Sequence, residues 1–236
     1  MSASSTIFLL PGLLCDDAVW EHQKMALENH AEVIVPIFRG YDSLVAMAES
    51  VLAQAPERFS VVGHSMGGRV AMELMHLAGN RIDKFVLMDT GAHPVQPGEQ
   101  EKRQVLLDLA DNDGLQAVAD AWMFPMIHPQ RHTDEALIQS INEMILRSSV
   151  SDFKGQIKAL LSRNDHSLYL PEIKQQVLLI CGDEDSWSPV SQHQEMMKSL
   201  DRAELKVVKN SGHMSTMEKP LEVTNMLLDW FANNAS

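Results

Sequence analysis

Short apolar runs alternate along this chain with segments in which apolar residues recur every three or four positions. The short runs predict β-strands, and the periodic segments predict helices. Strands are predicted over residues 6–10, 32–37, 59–62, 84–88, 177–181 and 204–208. Helices are predicted over residues 42–55, where Leu44, Met47 and Val51 share one face, and over residues 221–232. Because strands and helices alternate, the pattern predicts an α/β fold with a parallel sheet covered on both faces.

The alternation stops between Pro94 and Pro171, where the sequence carries helical periodicity and no convincing strand. Helices are predicted there over residues 100–110, 115–123, 134–147 and 152–161, separated by Gly114 and by the segments 125–129 and 148–151. We therefore expect an α/β core formed by residues 1–93 and 172–236, with residues 94–171 as a helical insertion.

Composition narrows the classes of partner and cofactor. The chain has 236 residues, enough for one α/β domain with a sizeable core. Its 32 Asp and Glu residues outnumber 19 Lys and Arg, a balance that repels phosphate backbones and anionic bilayers. We expect no nucleic-acid partner and no membrane partner. Cys15 and Cys181 lie far apart, without the spacing of a disulfide framework or a metal site.

Nothing near the amino terminus predicts a targeting signal. Residues 1–5 contain no basic residue, and the apolar run over residues 7–10 is too short for a signal peptide or a membrane span. A cytoplasmic protein is the simplest interpretation.

The most specific motif is a serine between two glycines, at the junction of a predicted strand and a predicted helix. Ser65 lies two residues from each of Gly63 and Gly67, after the strand-like residues 58–62 and before the helical residues 69–75. A nucleophilic serine at such a tight turn has a strained backbone and an exposed hydroxyl, and side chains at the two glycine positions would collide with the turn. The motif predicts that Ser65 is a nucleophile.

A serine nucleophile needs a base and an orienting acid, and loops after two later strands supply candidates. One predicted strand leads into an acidic loop with Asp183 and Asp185, and the last leads into a loop that ends on His213. The carboxyl ends of parallel strands meet at one edge of a sheet, so these loops can approach Ser65.

These motifs resemble those of the α/β-hydrolase superfamily, in its compact form with a helical cap. The resemblance is carried by Pro11-Gly12-Leu13-Leu14 with Trp20, Gly63-His64-Ser65-Met66-Gly67-Gly68, Gly182-Asp183-Glu184-Asp185 with Pro189, and Ser211-Gly212-His213-Met214 with Glu218 and Pro220. The insertion matches only in position, as the cap. The resemblance implies a three-layer α/β-hydrolase fold of about six parallel strands with a helical cap, since this chain lacks the strand hairpin that larger members carry.

The resemblance also implies roles for the candidate residues. It makes Ser65 the nucleophile and His213 the base, in the chain order Ser, Asp, His that is typical of this superfamily. It favours Asp185 as the acid over its neighbour Asp183. Asp89, at the end of another predicted strand, is a third candidate, because some members place the acid there.

Two backbone N–H groups are expected to form an oxyanion hole. Met66 directly follows the nucleophile at a helix N-terminus, and its N–H can stabilise the negative charge that forms on an attacked carbonyl. The resemblance makes Leu13 the second donor. Pro11 stands where the family commonly has histidine, a departure that leaves Gly12 and Leu13 in place.

The other polar motifs favour structural roles. His64 is expected to pack or bond locally rather than act as the base. His128 and His132 are four residues apart, but the neighbouring prolines and the missing glutamate argue against a zinc site. No dinucleotide fingerprint or phosphate loop occurs, so neither cofactor nor metal is expected.

The insertion should choose the substrate. Its most apolar stretch, residues 121–127, includes Trp122, Phe124 and Met126, and we expect some of these side chains to line the cleft together with Trp187. No cluster of Arg or Lys marks a site for a strongly anionic substrate, although one arginine would suffice to bind one.

These observations predict a serine carboxylesterase that cleaves small to medium apolar esters through an acyl-enzyme, as a monomer or a homodimer. Carbon–carbon bond hydrolases of ring-cleavage dienones resemble the same layout, although they typically carry Asn where this chain has His64. Lactonase activity is equally compatible. A ligand-binding receptor on the same fold is the alternative from another class.

Overall fold

The computed structural model describes residues 5–233, in which six strands form one sheet. The strands are β1 Thr6–Leu10, β2 Glu32–Ile34, β3 Phe59–His64, β4 Ile82–Met88, β5 Val177–Gly182 and β6 Ala203–Val208. Their order across the sheet is β2-β1-β3-β4-β5-β6, and each neighbouring pair is parallel. Two segments lie outside the described part. They are residues 1–4, on which most of the prediction about targeting rests, and residues 234–236 of the predicted core.

Helices cover both faces of the sheet, so the predicted fold class is confirmed. They are α1 Glu21–Leu27, α2 Leu44–Leu52, α3 Met66–Ala78, α4 Glu99–Met126, α5 Glu135–Leu146, α6 Val150–Leu161, α7 Val190–Ser199, α8 Ser215–Glu218 and α9 Pro220–Asn233. Within residues 5–233, none of these helices combines the length and the apolar character that a bilayer crossing requires.

Several element boundaries differ from the sequence prediction, and a proline or glycine is involved at three of these places. β2 ends at Ile34 instead of residue 37, since Pro36 has no N–H to donate to a neighbouring strand. The two helices predicted around Gly114 form the single element α4, kinked where Gly114 adopts φ 79°. Pro125 lies inside the last turn of α4 rather than beyond it; its missing N–H costs one helical hydrogen bond, and the helix ends one residue later.

The sheet forms the centre of the core. Every residue of β1, β3 and β5 is buried, which is the pattern of parallel strands covered on both faces. Helix ends are fixed by side-chain caps: Ser43 accepts a hydrogen bond from Ala46 N–H, and Ser149 and Asp152 form a capping box. This rigid sheet brings the carboxyl ends of β3, β5 and β6 to one edge, where the predicted site residues lie.

Candidate active site

Ser65 lies in a strained turn between β3 and α3. Its backbone has φ 55° and ψ −116°, a positive φ that is uncommon for a residue with a side chain. The turn is held from both sides, because Ser65 N–H donates to Met88 O (2.9 Å) and the Thr90 hydroxyl donates to Ser65 O (2.8 Å). Such strain persists only where the surroundings fix the conformation, and it marks functional sites.

The two glycines around Ser65 are required by close backbone approaches. A Cβ on Gly63 would lie 2.5 Å from Gly67 O, and a Cβ on Gly67 would collide with Leu10 O at the end of β1. Real Cβ atoms do not approach backbone so closely, so neither position accepts a side chain without a shift of the chain. The turn thus depends on both glycines of the motif.

The structure brings three of the predicted residues into one hydrogen-bonded path. His213 Nε2 lies 2.8 Å from Ser65 Oγ, and His213 Nδ1 lies 2.8 Å from Asp185 Oδ2. In the arrangement that suits both contacts, Nδ1–H donates to the carboxylate and Nε2 accepts the serine proton. The loops that follow β3, β5 and β6 supply one residue each.

The electrostatics of the pair suit an ionised acid and a basic histidine. Burial alone would raise the pKa of Asp185, but the charge and hydrogen bond of His213 and the backbone N–H groups of Ser188 and Trp187 lower it to about 2. Burial lowers the pKa of His213, but the charge and hydrogen bond of Asp185, together with other nearby carboxyl groups, outweigh burial, so that pKa lies above its ordinary value. Each partner stabilises the charged form of the other.

The other two acid candidates lie elsewhere. Asp183 accepts from Ser211 N–H (3.3 Å) and pairs with Lys209 (3.6 Å). Asp89 is fully buried and accepts from Gly182 N–H (3.0 Å) and from the Ser215 hydroxyl. Burial and the neighbouring charge of Asp185 hold the pKa of Asp89 well above its usual range, which favours its uncharged form. Asp185 is therefore the carboxylate that contacts His213.

The backbone of His213 is fixed by residues to which sequence reasoning gave other roles or none. His213 N–H donates to Met126 O (2.7 Å), and His64 Nε2 lies 2.8 Å from His213 O. Burial and the charge of His213 lower the pKa of His64 to about 4, so His64 is neutral and packs locally. The buried carboxylate of Glu218 accepts from the N–H groups of Gly212 (2.9 Å) and His128 (2.8 Å), which joins this loop to the end of α4.

Leu13 and Met66, the predicted oxyanion donors, both line the cleft beside Ser65. Met66 is the first residue of α3, so its N–H has no acceptor within the helix. Leu14, the residue after Leu13, has φ 58° and donates its N–H to Gln156 Oε1 of α6 (2.8 Å). Sequence reasoning missed Gln156, because no local pattern announces a contact across 142 positions.

The cleft above Ser65 has a volume of about 460 Å³, in the range of small-molecule sites. Trp122 and Trp187 line it, with ring centroids 5.1 Å apart, and Trp187 also lies 5.1 Å from the His213 ring. Phe124 and Met126 do not line it, contrary to expectation. Phe124 points to the surface, 38% exposed, against His132, and the Met126 side chain is buried in the core.

The residues that line the cleft also show that the expectation of no basic cluster was wrong. Four cationic side chains face the cleft: Arg69, Lys102, Arg103 and Arg163. They come from α3, from the first turns of α4 and from the segment just after α6, so no contiguous run marks them in the sequence. Only Arg69 had a local signal, since it lies four residues after Ser65 and therefore on the same helix face.

The histidines considered for zinc have other partners. The His128 side chain caps a short 3₁₀ turn by accepting from Gln130 N–H (3.1 Å), and His132 Nε2 contacts Phe124 O and Ile127 O (both 3.0 Å). Across residues 5–233, no group of three or more His, Cys, Asp or Glu side chains is placed to hold a metal ion.

Comparisons with known proteins agree with this architecture. The profile described as "Alpha/beta hydrolase family" matches residues 7–226. A Bacillus subtilis (strain 168) protein provisionally named 2-succinyl-6-hydroxy-2,4-cyclohexadiene-1-carboxylate synthase is 28% identical over 170 residues, which cover 69% of this chain and only 62% of that protein. The 2-hydroxy-6-oxo-6-phenylhexa-2,4-dienoate hydrolase of Comamonas testosteroni is 27% identical over 209 residues, covering 86% of this chain and 73% of that one. The solved structure of a thermophilic esterase from Thermogutta terrifontis has a TM-score of 0.91 at 23% identity and covers 98% of this chain and 91% of its own, a likeness of fold.

Proposed function

The chain belongs to the alpha/beta hydrolase family, and we propose that it is a serine hydrolase that cleaves small to medium carboxylic esters through an acyl-enzyme. The observation that carries this proposal is the hydrogen-bonded path from Ser65 through His213 to Asp185 at the floor of a cleft. The strained turn that presents Ser65 and the ionised state of Asp185 support it.

In the first half of the proposed reaction, His213 Nε2 takes the proton of Ser65 Oγ as the oxygen attacks the ester carbonyl carbon. The carbonyl π electrons move to the oxygen, which the N–H groups of Leu13 and Met66 stabilise. The intermediate then collapses and expels the alcohol, which receives the proton from His213. Asp185 holds the imidazole and stabilises its positive charge throughout.

In the second half, water attacks the acyl group on Ser65, and His213 again accepts a proton as the new bond forms. The second tetrahedral intermediate uses the same two N–H donors. Its collapse breaks the bond to Ser65 Oγ, which regains the proton from His213, and releases the carboxylic acid. Every step uses groups of this chain and one water molecule.

The alternative functions use the same site but cleave a different bond or bind a ligand without cleaving it. The relative from Comamonas testosteroni is named for cleaving a dienoate, and the triad serves that chemistry as well as ester or lactone cleavage. His64 stands where dienone hydrolases typically carry Asn, and its single hydrogen bond to His213 O gives it a structural role here. A ligand-binding receptor would keep the cleft without turnover.

A fluorophosphonate probe tests the proposal. We expect covalent labelling at Ser65, located by mass spectrometry of peptides, and loss of both labelling and ester hydrolysis in Ser65→Ala. Ser199→Ala removes an exposed hydroxyl on α7 and should change neither. A folded wild-type protein that the probe leaves unlabelled would refute the hydrolase proposal and favour the receptor.

Relative rates on matched ester, lactone and dienone substrates separate the reaction classes. We expect the highest kcat/KM on esters. A preference for dienones of more than tenfold would assign the protein to the carbon–carbon hydrolases.

A further inference from the structure

Arg69 is a buried cation that forms no direct ion pair in the described part of the chain, where the charge of Glu99 acts on it without contact. Its residue is 8% exposed, and its guanidinium contacts His93 O (2.9 Å) and His93 Nε2 (3.4 Å). Burial and the nearby charge of Arg163 lower the pKa of Arg69 to about 9, so the group is still charged at neutral pH. No carboxylate within residues 5–233 forms an ion pair with it. A buried charge that lacks an opposite charge is unfavourable unless something in the site supplies one.

The charged residues around Arg69 do not supply it with a paired negative charge. Arg163 and Arg103 share the single carboxylate of Glu99, Arg163 through two contacts of 2.6 and 2.8 Å and Arg103 through contacts of 2.9 and 3.0 Å. Three arginines thus face one glutamate, with Lys102 at the same wall. The formal net charge of the whole chain is −13, so this cleft is a positive site in an acidic protein.

Arg69 also stands at a useful distance from the reacting atom. Ser65 is the residue before α3, and Arg69 follows it by four residues, so Arg69 lies about one helical turn, or about 6 Å, further along the helix axis on the side of Ser65. Because both residues line the same cleft of about 460 Å³, a substrate held by Arg69 with its carbonyl at Ser65 needs only a short spacer between its anionic group and the reacting carbon.

We propose that Arg69, with Arg103 and Arg163 beside it, binds a free carboxylate of the substrate, and that the preferred substrates are half-esters of short dicarboxylic acids. A planar guanidinium matches a carboxylate in geometry and charge, and binding would give Arg69 the counter-charge it lacks. This inference deepens the proposed ester hydrolysis and rests on it.

Paired substrates test the inference in the wild-type protein. Monomethyl succinate and methyl butyrate have the same acyl length and leaving group, and differ in the terminal carboxylate. Release of methanol reports the rate for both. We expect kcat/KM to be about 10- to 100-fold higher for monomethyl succinate, the range of a hydrogen bond to a charged group. A ratio of one or below would overturn the inference.

Substitution of Arg69 identifies the group responsible. In Arg69→Gln the ratio of kcat/KM for monomethyl succinate to kcat/KM for methyl butyrate should fall at least tenfold. Arg69→Lys should retain part of this ratio. Arg58→Gln is the matched control, because Arg58 precedes β3 at the opposite edge of the sheet and pairs with Asp83 on the surface. It removes the same charge and should leave the ratio unchanged. If Arg69 only fixed the His93 loop, Arg69→Gln would slow both substrates equally, which would refute a carboxylate site.

A binding measurement separates failure of this inference from failure of the proposed function. Calorimetry on Ser65→Ala should show binding of succinate that is at least tenfold tighter than binding of succinamide, and the double variant with Arg69→Gln should lose this difference. Hydrolysis of neutral esters without a succinate preference would reject the subsite and retain the esterase. Succinate binding in a protein that the fluorophosphonate does not label would retain the subsite and reject the esterase.

Discussion

Asp185→Asn changes the state of His213 without changing the shape of the site. Asp185 Oδ1 accepts two backbone hydrogen bonds, from Trp187 N–H and Ser188 N–H (both 2.9 Å). Asparagine has one acceptor oxygen, and these two donors require it at the δ1 position. The amide NH₂ group must then face His213 Nδ1, which becomes an acceptor. The proton moves to Nε2, and His213 loses the atom that accepts the proton of Ser65.

The expected loss of kcat follows from this reversal of the His213 tautomer. A substitution that leaves a triad's geometry intact but imposes the wrong tautomer lowers kcat by about 10⁴-fold, equivalent to about 5 kcal/mol. We expect a loss of this size in Asp185→Asn. The fold should persist, because the two backbone hydrogen bonds at δ1 remain and the side chain keeps its size.

The assay is steady-state hydrolysis of a methyl ester, with the unfolding temperature measured on the same samples. Asp89→Asn is the matched control, since Asp89 is equally buried and its raised pKa favours the uncharged form that asparagine resembles. Its replacement can accept from Gly182 N–H and donate to the Ser215 oxygen, so the loss should stay below about tenfold. Asp183→Asn should also be mild. An Asp185→Asn enzyme within tenfold of wild type, or a larger loss in either control, would refute the assignment of the acid.

Two remaining predictions concern the base and the cleft. Only neutral His213 can accept the serine proton, so kcat/KM should rise with pH to a plateau. The midpoint of this rise should lie above 6.5, because Asp185 raises the pKa of His213. A profile that is flat from pH 5 to 8 would exclude His213 as the base. Trp122→Ala should move the optimum acyl length on neutral methyl esters toward longer chains, because Trp122 lines the cleft. Phe124→Ala should leave the optimum in place, because Phe124 lies at the surface. An equal shift in both variants would contradict the placement of Trp122 in the cleft and of Phe124 outside it.

The sequence by itself determined the features that depend on neighbouring residues. Gly63 and Gly67 around Ser65 define the turn, because the contacts that exclude side chains there arise from the turn and the strand end beside it. The buried strands could be predicted from continuous apolar runs, since a strand covered on both faces needs an apolar residue at every position. The order of the strand-end loops then placed Ser65 and His213 at one edge of the sheet.

Selection of the acid needed the tertiary structure. Asp183 and Asp185 occupy the same loop, and their separation of two residues says nothing about which one reaches His213. The loop backbone decides: the N–H groups of Trp187 and Ser188 hold Asp185 toward His213, whereas Asp183 turns to Ser211 and Lys209. Asp89 is set apart by complete burial, which raises its pKa and so favours its uncharged form.

The lining of the cleft was also decided by packing. Trp122 and Phe124 are two positions apart on α4, so their side chains differ by about 200° around the helix, and only Trp122 faces Ser65. The basic cluster needs α3, the start of α4 and the segment just after α6 to meet at one wall. Local periodicity shows that a helix has an apolar face, but the position of that helix against the sheet depends on contacts between residues far apart in the chain. Those contacts, and not any motif, bring Arg103 and Arg163 to the cleft wall where helix geometry already places Arg69.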